Sequence, residues 1–171
     1  MHWISPNKER RPPLLPQAML LEPEFPAHGG IIRTQMPQSF HLAVVAPDRS
    51  VVELEVVSIV APGQEGYFGA LANHVPFVAA LKAGLLEYEL PDGQRQFVAL
   101  GGGFFEMDGK RATVLADSAD LASEIDVAKA QQDLEMARAA LKGESSEMTT
   151  EEAQRAIDVA ISRLRAAQTK H

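Results

Sequence analysis

The sequence predicts a mainly β N-terminal sandwich or flattened barrel followed by a C-terminal α-helical hairpin, both behind a disordered leader. Three observations carry this. Residues 1–35 hold six of the eleven prolines and show no apolar period. Residues 36–117 alternate apolar and polar side chains in short runs divided by turns. Residues 118–171 change to a helical period and are dense in charge of both signs.

The leader contains Pro6, Pro12, Pro13, Pro16, Pro23 and Pro26. Such a composition does not bury enough apolar surface to offset the entropy of ordering. It has no continuous apolar stretch for a signal peptide, and Glu9, Glu22 and Glu24 count against a transit peptide. Met36 is read as the natural start, with the leader arising from an upstream start site or an artificial extension.

In the β region, Phe40, Leu42 and Val44 alternate with His41 and Ala43. Val52, Leu54 and Val56 alternate with Glu53 and Glu55, and Leu86, Tyr88 and Leu90 with Glu87 and Glu89. Period two marks strands with one wet face. Ala46-Pro47-Asp48-Arg49, Pro91-Asp92-Gly93 and Asp108-Gly109 supply turns, the last two with hairpin chemistry. The apolar segment Gly66–Gly84 is broken by glycines, by Asn73-His74 and by Pro76. His74 reads equally as a turn histidine hydrogen-bonded to backbone or as an interface contact, since an apolar loop around it should be covered by something.

The first helix is expected to begin near Ser123, with Glu124 and Asp126 in its first turn, and to stop at Gly143. It would turn Ile125, Leu134, Ala137 and Leu141 inward. In the second, Ala153, Ala156, Ile157, Ala160, Ile161, Leu164 and Ala167 form one stripe. Thr149 with Glu152 is a capping box. The short link Gly143-Glu144-Ser145-Ser146 makes the two helices antiparallel. Their inner face is largely alanine. Burying Ile157, Ile161 and Leu164 gains about 1.5–3 kcal/mol each, so the hairpin should be loosely held and able to change partners.

Several function classes are excluded or disfavoured. The net charge of −7 argues against nucleic acid. With no cysteine there is no thiol chemistry, and a reducing, cytoplasmic setting fits best. His2, His28, His41, His74 and His171 form no pair at metal-ligand spacing. No serine sits in a Gly-x-Ser-x-Gly elbow. Gly101-Gly102-Gly103 lacks the Lys-Ser/Thr of a phosphate loop, and Phe104-Phe105-Glu106-Met107 after it reads as a strand. A bulge or a close backbone approach explains those glycines.

The residues nevertheless resemble a known family. Gly66-Tyr67-Phe68-Gly69-Ala70-Leu71-Ala72-Asn73-His74-Val75-Pro76-Phe77 is similar to the Gly-x-x-Gly-x-x-Pro-Gly-His-x-Pro-Leu segment of F-type ATP synthase epsilon subunits. Leu100–Met107 resembles that family's Ser-Gly-Gly-Phe-x-Glu-Val, and Thr113–Asp117 its Val-Thr-Val-Leu-Ala strand. Ile125–Ala130 resembles the Ile-Asp-x-x-Arg-Ala opening of its first C-terminal helix. The order and spacing agree from about Met36 to the C-terminus.

The resemblance implies a non-catalytic rotor subunit at the cytoplasmic face of the bacterial inner membrane. Its β-sandwich would join the gamma subunit to the membrane c-ring for proton-driven ATP synthesis. Its hairpin would fold against the sandwich or extend into the alpha/beta catalytic head and restrain hydrolysis. By analogy Glu65, Tyr67 and Phe68 face the ring on a loop, and Asn73, His74 and Pro76 lie where the family meets gamma. Asn73 replaces the usual glycine, and asparagine is the next best residue for a left-handed turn. No acidic residue stands at Tyr67, which implies an apolar or hydrogen-bonded ring contact.

The resemblance also places a regulatory ATP site at Asp120, Asp126, Lys129 and Ala130. Lys129 stands for the usual arginine, Asp120 for a longer glutamate, and Met136 for a second arginine. These changes imply weak or no ATP binding, and no other cofactor is expected. Arg155, Arg163, Arg165 and Lys170 are the basic residues of the second helix, and on a free helix they read as a solvated face; the resemblance implies that Arg155, Arg163 and Arg165 would meet the head. The alternative reading is an unrelated β-sandwich adaptor with a helical arm.

Overall fold

The computed structural model describes residues 38–144 and 148–169. The leader 1–35, Met36, the middle of the link and Lys170 lie outside the described residues. The β region holds eight strands: β1 (Phe40–Val45), β2 (Ser50–Val56), β3 (Ser58–Gly63), β4 (Gly66–Leu71), β5 (Phe77–Glu89), β6 (Arg95–Met107), β7 (Arg111–Ala116) and β8 (Ala119–Leu121). Two helices follow, α1 (Val127–Leu141) and α2 (Thr150–Gln168). The strand order is β2-β1-β7-β6-β5-β3-β4, with β8 against β6. β1 and β7 are parallel and the other pairs antiparallel.

β5 and β6 have 13 residues each and pair along their length, so they serve both layers of a β-sandwich. Phe77–Leu81 with Gly103–Met107 belongs to the layer of β7, β1 and β2. Gly84–Glu89 with Arg95–Leu100 belongs to the layer of β3, β4 and β8. Gly101-Gly102-Gly103 makes the passage between the layers. Gly103 has φ +129°, and a Cβ there would lie 2.0 Å from the Leu115 carbonyl oxygen. Gly103 therefore marks a close backbone approach.

Alternation sends Phe40, Leu42 and Val44, Val52 and Val56, and Leu86 and Tyr88 into one core with Ile59, Val98, Leu100, Phe105, Met107 and Val114. Pro91-Asp92-Gly93 closes the β5–β6 hairpin and Asp108-Gly109 the β6–β7 hairpin, with Gly93 at φ +85° and Gly109 at φ +97°. In the second turn Asp108 accepts backbone N–H bonds from Lys110 and Arg111, which hold its carboxyl below the usual range.

Strand pairing runs past the boundary read at Asp117. β8 pairs Ala119, Asp120 and Leu121 with Leu100, Ala99 and Val98. Three residues are too few to show a period. The first helix begins at Val127 rather than near Ser123. Ala122–Glu124 forms a single 3-10 turn, and Asp126 is the N-cap, its carboxylate accepting the Lys129 N–H at 3.1 Å. Glu124 and Asp126 thus precede the helix. Leu134 and Ala137 turn inward, Ile125 is half-buried, and Leu141 is exposed.

α2 begins on the expected capping box. Thr149 Oγ1 accepts the Glu152 N–H, and the Glu152 carboxylate accepts the Thr149 N–H at 2.8 Å. The Thr149 N–H and, second, the Thr149 hydroxyl, both donating to the Glu152 carboxylate, hold that carboxyl below its usual range. Leu134, Ala137, Ile157 and Ala160 form a small second core between the helices. α2 also buries a face the single stripe did not contain. Ser162 is buried, its hydroxyl donates to the Gly84 carbonyl at 2.7 Å, and Ala166 is buried one turn on. A Cβ on Gly101 would lie 3.2 Å from Val159, so α2 rests directly on the passage between the two layers. α2 therefore lies between α1 and the sandwich.

Candidate docking surfaces and the hairpin cleft

Three places stand out, two of which hold residues singled out from the sequence. At the first, Gln64 and Glu65 make a two-residue turn between β3 and β4, opened by Gly66 at φ +138°. Glu65 is exposed on that turn. Tyr67 and Phe68 lie on strand β4 rather than on a loop, and this corrects their reading as a pair. Successive strand residues face opposite ways. Tyr67 points outward, its hydroxyl accepting the Leu85 N–H at 3.3 Å. Phe68 turns inward, edge-on to Phe77 at 5.5 Å and to Phe105 at 5.1 Å, and packs half-buried against the core.

Asn73 has φ 63°, the left-handed conformation expected for the residue in a glycine's place. Its backbone N–H donates to the Gly109 carbonyl at 2.8 Å, which ties this turn to the β6–β7 hairpin. His74, Val75 and Pro76 are exposed, and the His74 ring lies 4.9 Å from Phe77.

The second place was missed from the sequence. Val45, Leu115, Phe104 and Ala80 are successive neighbours across β1, β7, β6 and β5, all on the outer face. All four are exposed, Phe104 at 58% and Leu115 at 55%. Val78, two residues before Ala80 on the same face, is exposed at 68% and leads back toward the His74 turn. The doublet Phe104-Phe105 was the available signal, because in a strand one of two neighbouring phenylalanines must face out.

The third place is a cleft of about 250 Å³ where the 3-10 turn, α1 and α2 meet β8. Asp120, Asp126, Lys129 and Ala130 all line it, so the structure brings these four together. Glu124, Ile125, Asp133 and Arg163 complete it. Arg163 Nε donates to Asp120 at 2.8 Å, and its Nη1 is 3.6 Å from Asp133. Asp126 is committed to capping α1. Met136 is exposed on α1 and does not line the cleft.

The structure does not bring Arg155, Arg163 and Arg165 onto one face. Arg163 and Arg165 are two apart, so on a helix they point to nearly opposite sides. Arg163 enters the cleft, Arg165 is exposed beside Lys82 and Gly84, and Arg155 pairs with Glu151 on the surface at 3.7 Å. Among the described residues no His, Cys, Asp or Glu group could hold a metal ion, and no helix is long and apolar enough to cross a membrane.

Residues 39–122 match the family model of the ATP synthase delta/epsilon chain β-sandwich domain, and residues 123–168 that of its long α-helix domain. The chain belongs to the ATP synthase delta/epsilon family. The seam between the two domains falls at the 3-10 turn, so the cleft is an interdomain site. The ATP synthase epsilon chain of Syntrophomonas wolfei is 40% identical over 130 residues, 76% of this chain and 95% of that one. That of Nitratidesulfovibrio vulgaris strain DP4 is 38% identical over 130 residues, 76% of this chain and 96% of that one. Among solved structures, a chain of the Euglena gracilis mitochondrial ATP synthase, determined with OSCP, F1 and the c-ring, aligns with a TM-score of 0.61 at 26% identity. It covers 79% of this chain and 84% of that chain. The delta/epsilon chain is a structural and regulatory subunit, not a catalytic one.

Proposed function

We propose that this chain fastens the gamma subunit to the c-ring in the central stalk of a proton-driven ATP synthase, at the cytoplasmic face of the bacterial inner membrane. The observation that carries this is the outer apolar stripe of Val45, Leu115, Phe104 and Val78 leading to the exposed Asn73–Pro76 turn. An apolar row of this kind on a wet sheet face is a docking surface in want of a partner, and gamma is the partner that family membership supports. Glu65 and Tyr67, on the neighbouring β3–β4 hairpin, are assigned to the ring. The Tyr67 ring offers an apolar face there.

The hairpin is assigned a regulatory part. Its small alanine-rich core supports detachment, and the exposed Arg165, with Arg155 on exchanging its surface pair with Glu151, would meet an acidic segment of the alpha/beta head and restrain hydrolysis. An unrelated adaptor is set aside by the family match. Co-expression with gamma of the same organism tests the main proposal. The expected result is a stable complex of one copy of each; separate elution of the two at micromolar concentration would overturn it.

A further inference from the structure

We propose that Arg163 is a ligand-independent latch, pairing with Asp120 of β8 and Asp133 of α1 to hold the hairpin on the sandwich without a nucleotide. This rests on the reading of the hairpin as a movable arm.

Four features support it. Among the described ion pairs, this is the only one that ties α2 to both the sandwich and α1. Its cation is also the most sheltered. The Arg163 side chain is 29% exposed, whereas the arginines of the other bridges are 45–75% exposed. A guanidinium presents two donor edges at a fixed angle, so Nε toward Asp120 and Nη1 toward Asp133 are served together by one rigid group, where a lysine would offer only a point charge. Ser162, the preceding residue, is bound to Gly84 of β5, so two consecutive side chains clip α2 to two strands.

The same geometry answers the nucleotide question. The cleft holds four carboxylates, Asp120, Glu124, Asp126 and Asp133, against two cations, Lys129 and Arg163. Glu124 is paired with Arg49 at 3.0 Å and Asp126 with the start of α1. Once Arg163 is neutralised by two aspartates, Lys129 alone remains for a polyphosphate. ATP would have to break the latch to bind, and would then meet the released carboxylates. The arm is therefore held by charge within the chain itself, and the latch and ATP exclude each other.

The chain has no cysteine, so two introduced cysteines can be spin-labelled cleanly in the full-length protein. With labels at Asp92→Cys in the β5–β6 turn and Gln154→Cys on α2, the unaltered cleft should give one narrow, docked distance. Asp120→Asn combined with Asp133→Asn should raise the undocked fraction about tenfold, and added salt should raise it in the unaltered cleft. The charge exchange Arg163→Asp with Asp120→Arg should restore part of the docked population, which a merely unfolded variant could not do. Millimolar ATP should not bind the unaltered cleft, and its docked distance should not change. The proposal is overturned if the double variant stays docked, or if millimolar ATP binds the unaltered cleft with the docked distance intact. Failure of the stalk assignment would appear separately, as loss of the gamma complex with the label distances intact.

Discussion

Phe104 offers the sharpest quantitative check on the docking surface. An aromatic side chain buries about 150–250 Å² when fully covered. In the free chain 58% of Phe104 is exposed, so roughly 90–145 Å² remains for a partner to cover. At about 25 cal/mol per Å² this contributes about 2–3.5 kcal/mol to the complex. Phe104→Ser should therefore weaken gamma binding about 30- to 300-fold. Because Phe104 points away from the core, the thermal midpoint of the isolated chain should move by no more than about 2 °C. Titration calorimetry against purified gamma reads the first effect, and differential scanning calorimetry the second. An affinity within threefold of the unaltered chain, with the fold intact, would refute the reasoning.

Other expectations follow from the same coordinates. Gly103→Ala places a Cβ against the Leu115 carbonyl at a φ of +129° and should destabilise the sandwich by about 2 kcal/mol or more in urea unfolding. Phe68→Ser, unlike Phe104→Ser, should lower stability by about 2–4 kcal/mol, because Phe68 packs on Phe77 and Phe105. Thr149→Ala removes the α2 capping box and should cost about 0.5–2 kcal/mol of hairpin stability, visible as faster amide exchange at Glu151 and Glu152. The carboxyls of Asp108 and Glu152 are held down by backbone hydrogen bonds, so their support is present above the ordinary carboxylate values of 3.8 and 4.5 and is lost as pH falls through the lower folded ones. Their carboxyl carbon resonances should titrate below 3.8 and 4.5 respectively; midpoints at or above these would contradict the assigned bonds.

The alternating strands were legible because each buries one face, and Phe40-x-Leu42-x-Val44 records that directly. The α2 start was legible because a capping box is a local device, and the Asn73 turn because few residues adopt positive φ cheaply. What was hidden depends on contacts distant in sequence. β8 exists only because Val98–Leu100 is there to pair with it. The second buried face of α2 runs through Ser162, and a serine gives no apolar signal until a carbonyl such as that of Gly84 is placed beside it. Arg163 looked like one more surface cation; its two partners stand 43 and 30 residues earlier in the chain. The candidate loop residues were half legible. The apolar segment showed a run that turns often, but only the register separates outward Tyr67 from inward Phe68.

The stalk assignment is tested most directly by ATP synthesis in inverted membrane vesicles stripped of their delta/epsilon chain and supplied with a proton gradient. Adding this protein should restore synthesis to near the unstripped rate, and the Phe104→Ser chain at the same low concentration should not. Full synthesis by stripped vesicles without the protein, or no recovery when it is added in excess, would contradict the account.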